Sequence, residues 1–395
     1  MRVNPDLDFI KYMKTAGGDT LKKCYQCATC SVVCPLSSDD NPFPRREMVW
    51  AQWGLKDKLV TDANVLLCHQ CGDCTAYCPR GAKPGDVLGA IRAYLYTNHG
   101  FPNGLAKMVA DPSKIAMTIG LPAIIIAVMW FISGGMHLPT GEYMAEHGFG
   151  SFFGHWDWPW LSKNVAFIDM IMLPAVGLAV YSSYRGAKAL WTDMEKNRNV
   201  SPDFRPSAKQ MAVEFFWPAI KETLEHKRFR ECTENKDRER GHKPLMWAFI
   251  GLAIVTAYSA FKQDVLGIFI PSMHGPLALY DPFKILANVS AIAMVIGIGI
   301  LWGNRGAAEE ASGAKPTYYD WFLIYEIMAV AVTGIGSELC RLIGIPALAY
   351  FMYYLHLVAV LMLFLYMPYT KFAHLVYRTV AMAFERYSES GFVKK

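Results

Sequence analysis

Two textures divide the chain. Up to about residue 110, apolar and polar positions alternate without long runs; from Ile115 onward, extended apolar stretches take over. Six stand out: Ile115–Gly135, Val165–Tyr184, Leu245–Phe261, Phe283–Trp302, Trp321–Ile343 and Leu348–Tyr369. Each is close to the roughly 20 residues a helix needs to cross about 30 Å of hydrocarbon. A soluble helical bundle would keep polar stripes at helical spacing, whereas these runs are apolar on all sides. The pattern predicts six membrane-spanning helices, the third being the shortest.

Composition agrees. Of 395 residues, 53% are hydrophobic and 18% charged, and mean hydropathy is +0.17. Soluble domains carry about 25% charge. The net charge of +5 is too small and too dispersed to suggest nucleic-acid binding. Charge does orient the chain. The stretch 185–244 is crowded with Lys227, Arg228, Arg230, Arg238, Arg240 and Lys243, whereas 136–164 has only Lys163 as a basic residue, with Trp156, Trp158 and Trp160 as an aromatic belt. The positive-inside rule puts 185–244 in the cytoplasm. Both termini follow, in agreement with the basic tail and with an N-terminus that lacks an apolar export segment. Part of that loop, Lys209–Glu239, reads either as surface helices packed near the N-terminal region or as a solvated charged hairpin.

Eight of the ten cysteines precede residue 80. Cys24-x2-Cys27-x2-Cys30-x3-Cys34-Pro35 recurs as Cys68-x2-Cys71-x2-Cys74-x3-Cys78-Pro79. This is the bacterial ferredoxin ligand run, duplicated, in which the fourth cysteine serves the other cluster. The spacing therefore assigns Cys24, Cys27, Cys30 and Cys78 to one [4Fe–4S] cluster, and Cys68, Cys71, Cys74 and Cys34 to a second. Paired zinc sites would leave one cysteine and the Cys-Pro ending of each run unexplained. The intervening Arg46–Trp53 reads as helix with little strand alternation. The predicted fold is all-α: a helical ferredoxin domain over 1–110 and an integral membrane domain over 111–395. Lys22, Lys23, Arg80 and Lys83 flank the cysteine runs, and His69 lies inside the second.

The last apolar run leads into His356 and His374, eighteen residues apart. In one continuous helix that spacing is five full turns and roughly 27 Å, with both rings on one face and one near each membrane surface. Ionisable residues at membrane depth suggest function, and histidine is a usual axial haem ligand; interfacial histidines bonded to backbone or lipid are the alternative. Two bis-histidine haems need two more ligands. His274, then His155, then His137 are the outer candidates, and His242, then His226, the inner ones. Asp169, Asp264, Glu338 and Arg341 are candidates for a quinone site, although Glu338 and Arg341 could simply pair with each other. Glu326 is a further carboxylate within a span. Cys232 and Cys340 read as free structural thiols.

Twin cysteine runs in a helical domain, fused to a multi-span segment ending in His356…Pro368-Tyr369-x-Lys371-Phe372-x-x-His374, resemble a known family. The resemblance is to the membrane-embedded C component of the quinone-interacting membrane-bound oxidoreductase complex of sulfate-reducing bacteria. That component is itself similar to a fusion of the C and E components of heterodisulfide reductase. The histidine spacing is also similar to that in the last helix of the cytochrome b subunit of respiratory nitrate reductase. That cytochrome carries its other two ligands on one earlier span, whereas Phe283–Trp302 here has Asn288 and no histidine. The resemblance implies a six-helix cytochrome b-like domain with haem b, menaquinol as the membrane substrate, and two soluble flavoproteins similar to heterodisulfide reductase A. It also implies APS reductase as the final electron acceptor. A related subunit feeding sulfite or heterodisulfide reduction, and a haem-free membrane-anchored iron–sulfur sensor, are the competing expectations.

Overall fold

A computed structural model describes residues 4–154, 163–197, 206–231, 233–234, 237–312 and 317–390. The described residues form helices and turns without strands. Short helices build the cysteine region: Leu7–Thr15, Thr29–Val32, Arg45–Gln52, Lys56–Val60, Ala63–Leu67, Asp73–Ala76 and the longer Pro84–His99. Asp6 caps the first by accepting from the Phe9 amide at 2.9 Å, and Asp62 caps Ala63–Leu67 through the Asn64 amide at 3.1 Å.

Six helices are long and apolar enough to cross a membrane: Pro112–Ile132, Ala166–Asn197, Arg238–Phe269, Pro282–Ala307, Tyr318–Ile343 and Pro346–Tyr369. The third is 32 residues long, extended beyond its apolar run by charged residues at the start and a π turn, Phe261–Leu266, near its end. It packs closely on the fourth, where a Cβ on Gly297 would meet the Gly241 carbonyl at 2.8 Å, so small residues permit the approach. Gly344, at φ +78°, closes the fifth span, and Pro346 opens the sixth two residues later. Pro122 kinks the first span and cannot bond the carbonyl four residues back, that of Thr118. Tyr366 of the sixth span supplies the missing donor, its hydroxyl reaching that carbonyl at 2.9 Å. Tyr354 binds the Ala123 carbonyl in the same way.

His356 and His374 do not share one helix. The sixth helix ends at Tyr366, two 3₁₀ turns follow (Met367–Tyr369 and Lys371–Ala373), and His374 begins a separate helix, His374–Glu389. Pro368 lacks an amide hydrogen, and the Thr370 hydroxyl caps the new turn through the Phe372 amide. His356 lies midway along the sixth helix, ten residues from either end, instead of near one surface.

The cysteine region does not close on itself. Its core, with Phe9, Met48, Val87, Ile91 and Tyr96, continues into Leu190 and Met194 of the second span, Phe215 and Ala219 of the 206–231 segment, and Ala381, Phe384 and Tyr387 of the C-terminal helix. The second span thus runs well past its apolar stretch to pack here, and 206–231 lies against the cysteine region as helices. Its Glu222 carboxylate pairs with Arg228 and Arg386, and Arg228 also bonds Glu385 at 2.8 Å. Burial works to raise the Glu222 pKa, but the two guanidinium bonds outweigh it, and the group sits below the usual carboxylate range. Its stabilising contribution is present above that range and is lost as pH falls through the depressed value. Protection factors in 217–231 and 380–389, corrected for intrinsic exchange, should therefore fall on acidification, and Glu222→Gln should give the lower protection already at neutral pH with a flattened pH response; unchanged protection would remove this clasp as an anchor.

Candidate metal centres

The two cysteine runs fold into loops that repeat each other's hydrogen bonding. Ala28 and Gly72 both adopt left-handed φ, +69° and +96°, and each starts a one-turn helix by accepting from the amides three and four residues on. Gln26 and Gln70, between the first two cysteines of each run, are also left-handed, at +61° and +50°. Non-glycine residues held at positive φ store strain. Here the strain turns three successive sulfurs toward one hollow.

Each hollow takes its fourth cysteine from the other run. One is lined by Cys68, Cys71, Cys74 and Cys34, the other by Cys24, Cys27, Cys30 and Cys78. The crosswise grouping follows the spacing. The recesses suit a polynuclear cluster. Sulfur-directed hydrogen bonds are already in place: the Ala82 amide to Cys78 Sγ at 3.3 Å, the Gln70 amide to Cys68 Sγ and the Gln26 side chain to Cys24 Sγ. Burial pushes the Cys30 thiol up to about 11 and Cys34 to about 12, so these thiolates need iron to offset their charge. Cys27 differs. It is exposed, and the Thr29 hydroxyl pulls its thiol below the ordinary range.

The recess of Cys68 faces the membrane helices through a set of guanidinium groups. Arg378 donates to the Cys68 carbonyl at 3.0 Å, and Arg238 to the His69 carbonyl at 2.8 Å. Asp73, inside the same loop, accepts the Thr233 and Glu234 amides. His69 is held neutral, its value down to about 3, by burial and by Arg378, Arg228 and Arg238.

Arg378 lies one turn beyond His374. The His374 Nδ1 bonds the Lys371 carbonyl at 2.7 Å; a carbonyl only accepts, so Nδ1 carries the hydrogen and Nε2 is left as a lone pair. Burial is the main reason His374 stays neutral, at about 4. Its ring stands 6.2 Å from that of His242, at 76°. His242 Nδ1 in turn meets His226 Nε2 at 2.8 Å. The structure thus brings both inner candidates, His242 and His226, to His374. Sequence reasoning placed His226 farther away, because only the tertiary return of the loop reveals the contact.

His356 faces the fifth span, its Nδ1 3.2 Å from Thr333 Oγ1. That hydroxyl gives its hydrogen to the Ala329 carbonyl at 2.6 Å, so His356 Nδ1 is the donor and Nε2 is again left as a lone pair. Gly334 makes the room: a Cβ there would lie 3.0 Å from the ring. Among the described residues no histidine joins His356. His137 is exposed, His155 and Cys232 lie outside the described residues, and His274 ends a 3₁₀ turn of which only the backbone is described.

The proposed quinone-site carboxylates fall into two places. Glu338 pairs with Lys284 of the fourth span at 2.7 Å and not with Arg341, its neighbour in sequence. Asp169 and Asp264 sit on the second and third spans, close enough for their charges to interact. Sequence reasoning missed the ion cluster at Asp320. This buried carboxylate pairs with Lys371 and, at 2.6 Å, with Arg305, while Thr317 donates to it as a capping box. Lys371 carries the carbonyl that orients His374, so the cluster fixes the ring's position.

A helical iron–sulfur region continuous with six helices long and apolar enough to cross a membrane defines the class as a membrane-type iron–sulfur protein. The chain belongs to the family described as citrate utilization protein B, whose model matches residues 113–390, and residues 20–82 match a 4Fe-4S dicluster domain. It is similar to the C component of the H(2):CoB-CoM heterodisulfide,ferredoxin reductase of Methanothermobacter marburgensis, 39% identical over 22% of this chain and 46% of that one. The corresponding component from Methanothermobacter thermautotrophicus is 42% identical over 15% of this chain and 32% of its own length. The chain thus spans less than half the length of either relative. No solved structure matches.

Removing the Asp320 charge would leave Lys371 and Arg305 without their anion. Asp320→Asn should cost about 3 kcal/mol, read as a lowered unfolding temperature in detergent. Glu338→Gln, at the Lys284 pair on the opposite end of the fifth span, should cost less, because that pair is more exposed. Equal losses would contradict the ranking.

Proposed function

We propose that the chain passes electrons between menaquinol in the membrane and soluble flavoprotein partners through two [4Fe–4S] clusters and haem b. In this reading it acts as the membrane subunit of a quinone-interacting oxidoreductase complex in dissimilatory sulfate reduction. The partners are two subunits resembling heterodisulfide reductase A, with APS reductase as the terminal acceptor. The setting is the cytoplasmic membrane, with the cysteine region and the C-terminus inside, which the basic 185–244 loop supports.

One observation carries the reading: two adjacent four-cysteine recesses, one against the His374–Arg378 helix and the other opening at exposed Cys27. Cys24, Cys27, Cys30 and Cys78 hold one cluster; Cys68, Cys71, Cys74 and Cys34 hold the other. When bound, the clusters supply one-electron redox chemistry. Tyr25, Val32 and Tyr77 stand exposed beside the Cys27 recess, with Arg80 stacked 4.2 Å over Tyr25, a surface suited to a docking redox partner. The unprotonated Nε2 of His374 and the ring of His242 fit ligation of a haem, and His356 fits a second, which would add one-electron carriers inside the membrane. His226 positions His242, and Lys371 positions His374.

The names of the methanogen relatives favour a second reading, a subunit feeding heterodisulfide reduction. Recovery of a heterodisulfide-reductase-D-like partner in place of flavoproteins would select it.

Iron and sulfide analysis of anaerobically prepared protein should give about eight irons per chain in cubane form. Cys71→Ser and Cys27→Ser should each remove one cluster's signal, and zinc in place of iron would end the proposal. His374→Ala should remove one b-type haem band and His356→Ala another; a spectrum without haem would confine the route to the clusters.

A further inference from the structure

Most ionised groups within the spans have a counter-charge. Asp320 has Lys371 and Arg305, and Glu338 has Lys284. Glu326 has none. It is 5% exposed, and among the described residues neither carboxyl oxygen has a hydrogen-bond partner and no salt bridge reaches it. Two phenols, Tyr318 and Tyr366, interact with it electrostatically. A bare carboxylate in this position would be very costly, so the group is held as the neutral acid.

Its neighbours define a direction. Tyr366 has given its hydrogen to the Thr118 carbonyl and can only accept. Tyr318, two turns toward the cysteine-bearing side, has a buried hydroxyl without a partner among the described residues and lies within reach of Asp111, which is partly exposed where the first span begins. On the other side, Thr333 shares the face of Glu326 seven residues on, about 10 Å along the axis, and it binds His356. Glu326 therefore stands on one helix between Tyr318, about 12 Å toward the cysteine-bearing side, and the Thr333 that binds the mid-membrane histidine.

We propose that Glu326 is the proton-exchange group of a quinone site beside His356, connected to the cysteine-bearing side through Tyr318 and Asp111. This rests on the quinone-linked reading above. A quinol oxidised there loses two electrons and two protons. The electrons leave singly toward the clusters and a soluble acceptor. Glu326 gives its carboxylic proton to the Tyr318 side and takes one from the quinol oxygen, so it is neutral before and after. The second proton leaves from the other ring oxygen.

The test uses the full chain in lipid nanodiscs, with menaquinol as donor and a one-electron dye as acceptor. Redox-induced infrared difference spectra should show a carboxylic C=O band, shifted by deuterium oxide, that Glu326→Gln abolishes. Menaquinol oxidation should fall about ten- to a hundredfold in that variant, with iron content and cluster reduction by a low-potential dye unchanged. Glu326→Asp should recover part of the rate, and Tyr318→Phe should slow it while keeping the band. Oxidation at the wild-type rate in Glu326→Gln, or absence of the band from the wild type, overturns the assignment while leaving the quinone reading intact. Failure of the wild type to oxidise any quinol removes both.

Discussion

The break between the sixth span and the C-terminal helix is the constraint on which the remaining architecture depends. A helix continued straight through Tyr366 would carry His374 and Arg378 away from the cysteine loops. Pro368 stops it by removing an amide hydrogen, and Thr370 restarts it. The turn stays in place because Lys371 is held by a carboxylate on the neighbouring span, which a second cation also holds. In a medium of low dielectric a buried carboxylate is tolerated only when it is paired and fully hydrogen-bonded, and Thr317 adds a donor to Asp320 beside the two cations. The redirected helix then packs Phe384 and Tyr387 into the cysteine core, and Arg378 reaches the Cys68 carbonyl.

That arrangement makes the cysteine region and the membrane helices one mechanical unit. Apolar side chains from the second span, the 206–231 segment and the C-terminal helix share a core with residues from the first hundred. A small metal-binding region on its own has little apolar surface with which to offset chain entropy. Helices from the rest of the chain supply that surface, while the strained loops at Gln26, Ala28 and Gln70 keep their shape. The same packing sets the Cys68 recess against Arg378 and leaves Cys27 of the other exposed.

Much of this was legible in the sequence, for physical reasons that also mark where legibility stops. Membrane crossing is a matter of local apolarity, and the six runs show it. The crosswise grouping of cysteines follows from doubled spacing, which a tight loop translates directly into geometry. The fate of His374 was not legible: eighteen residues match helical periodicity, the apolar texture continues through Tyr369, and a proline inside a span can merely bend it, as Pro122 does. Glu338 has Arg341 nearby in sequence, yet its partner, Lys284, comes from a different helix. His226 and His242 likewise meet only because the loop folds back on itself. Pairing of polar groups is a long-range property, and periodicity carries no information about it.

A final contrast separates structural from chemical polar groups in the spans. Thr333 has a donor role and an acceptor role, both filled, and it fixes one imidazole nitrogen of His356 while leaving the other available. Asp320 is neutralised by two cations and holds a turn. Both are complete, and both serve position. Glu326 and Tyr318 are incomplete, and they follow one another along the same helix toward the side bearing the cysteines. Burial without a partner has a free-energy cost that packing alone would not retain. An occupant or a mobile proton must complete these groups, which sets them apart from Asp320 and Thr333.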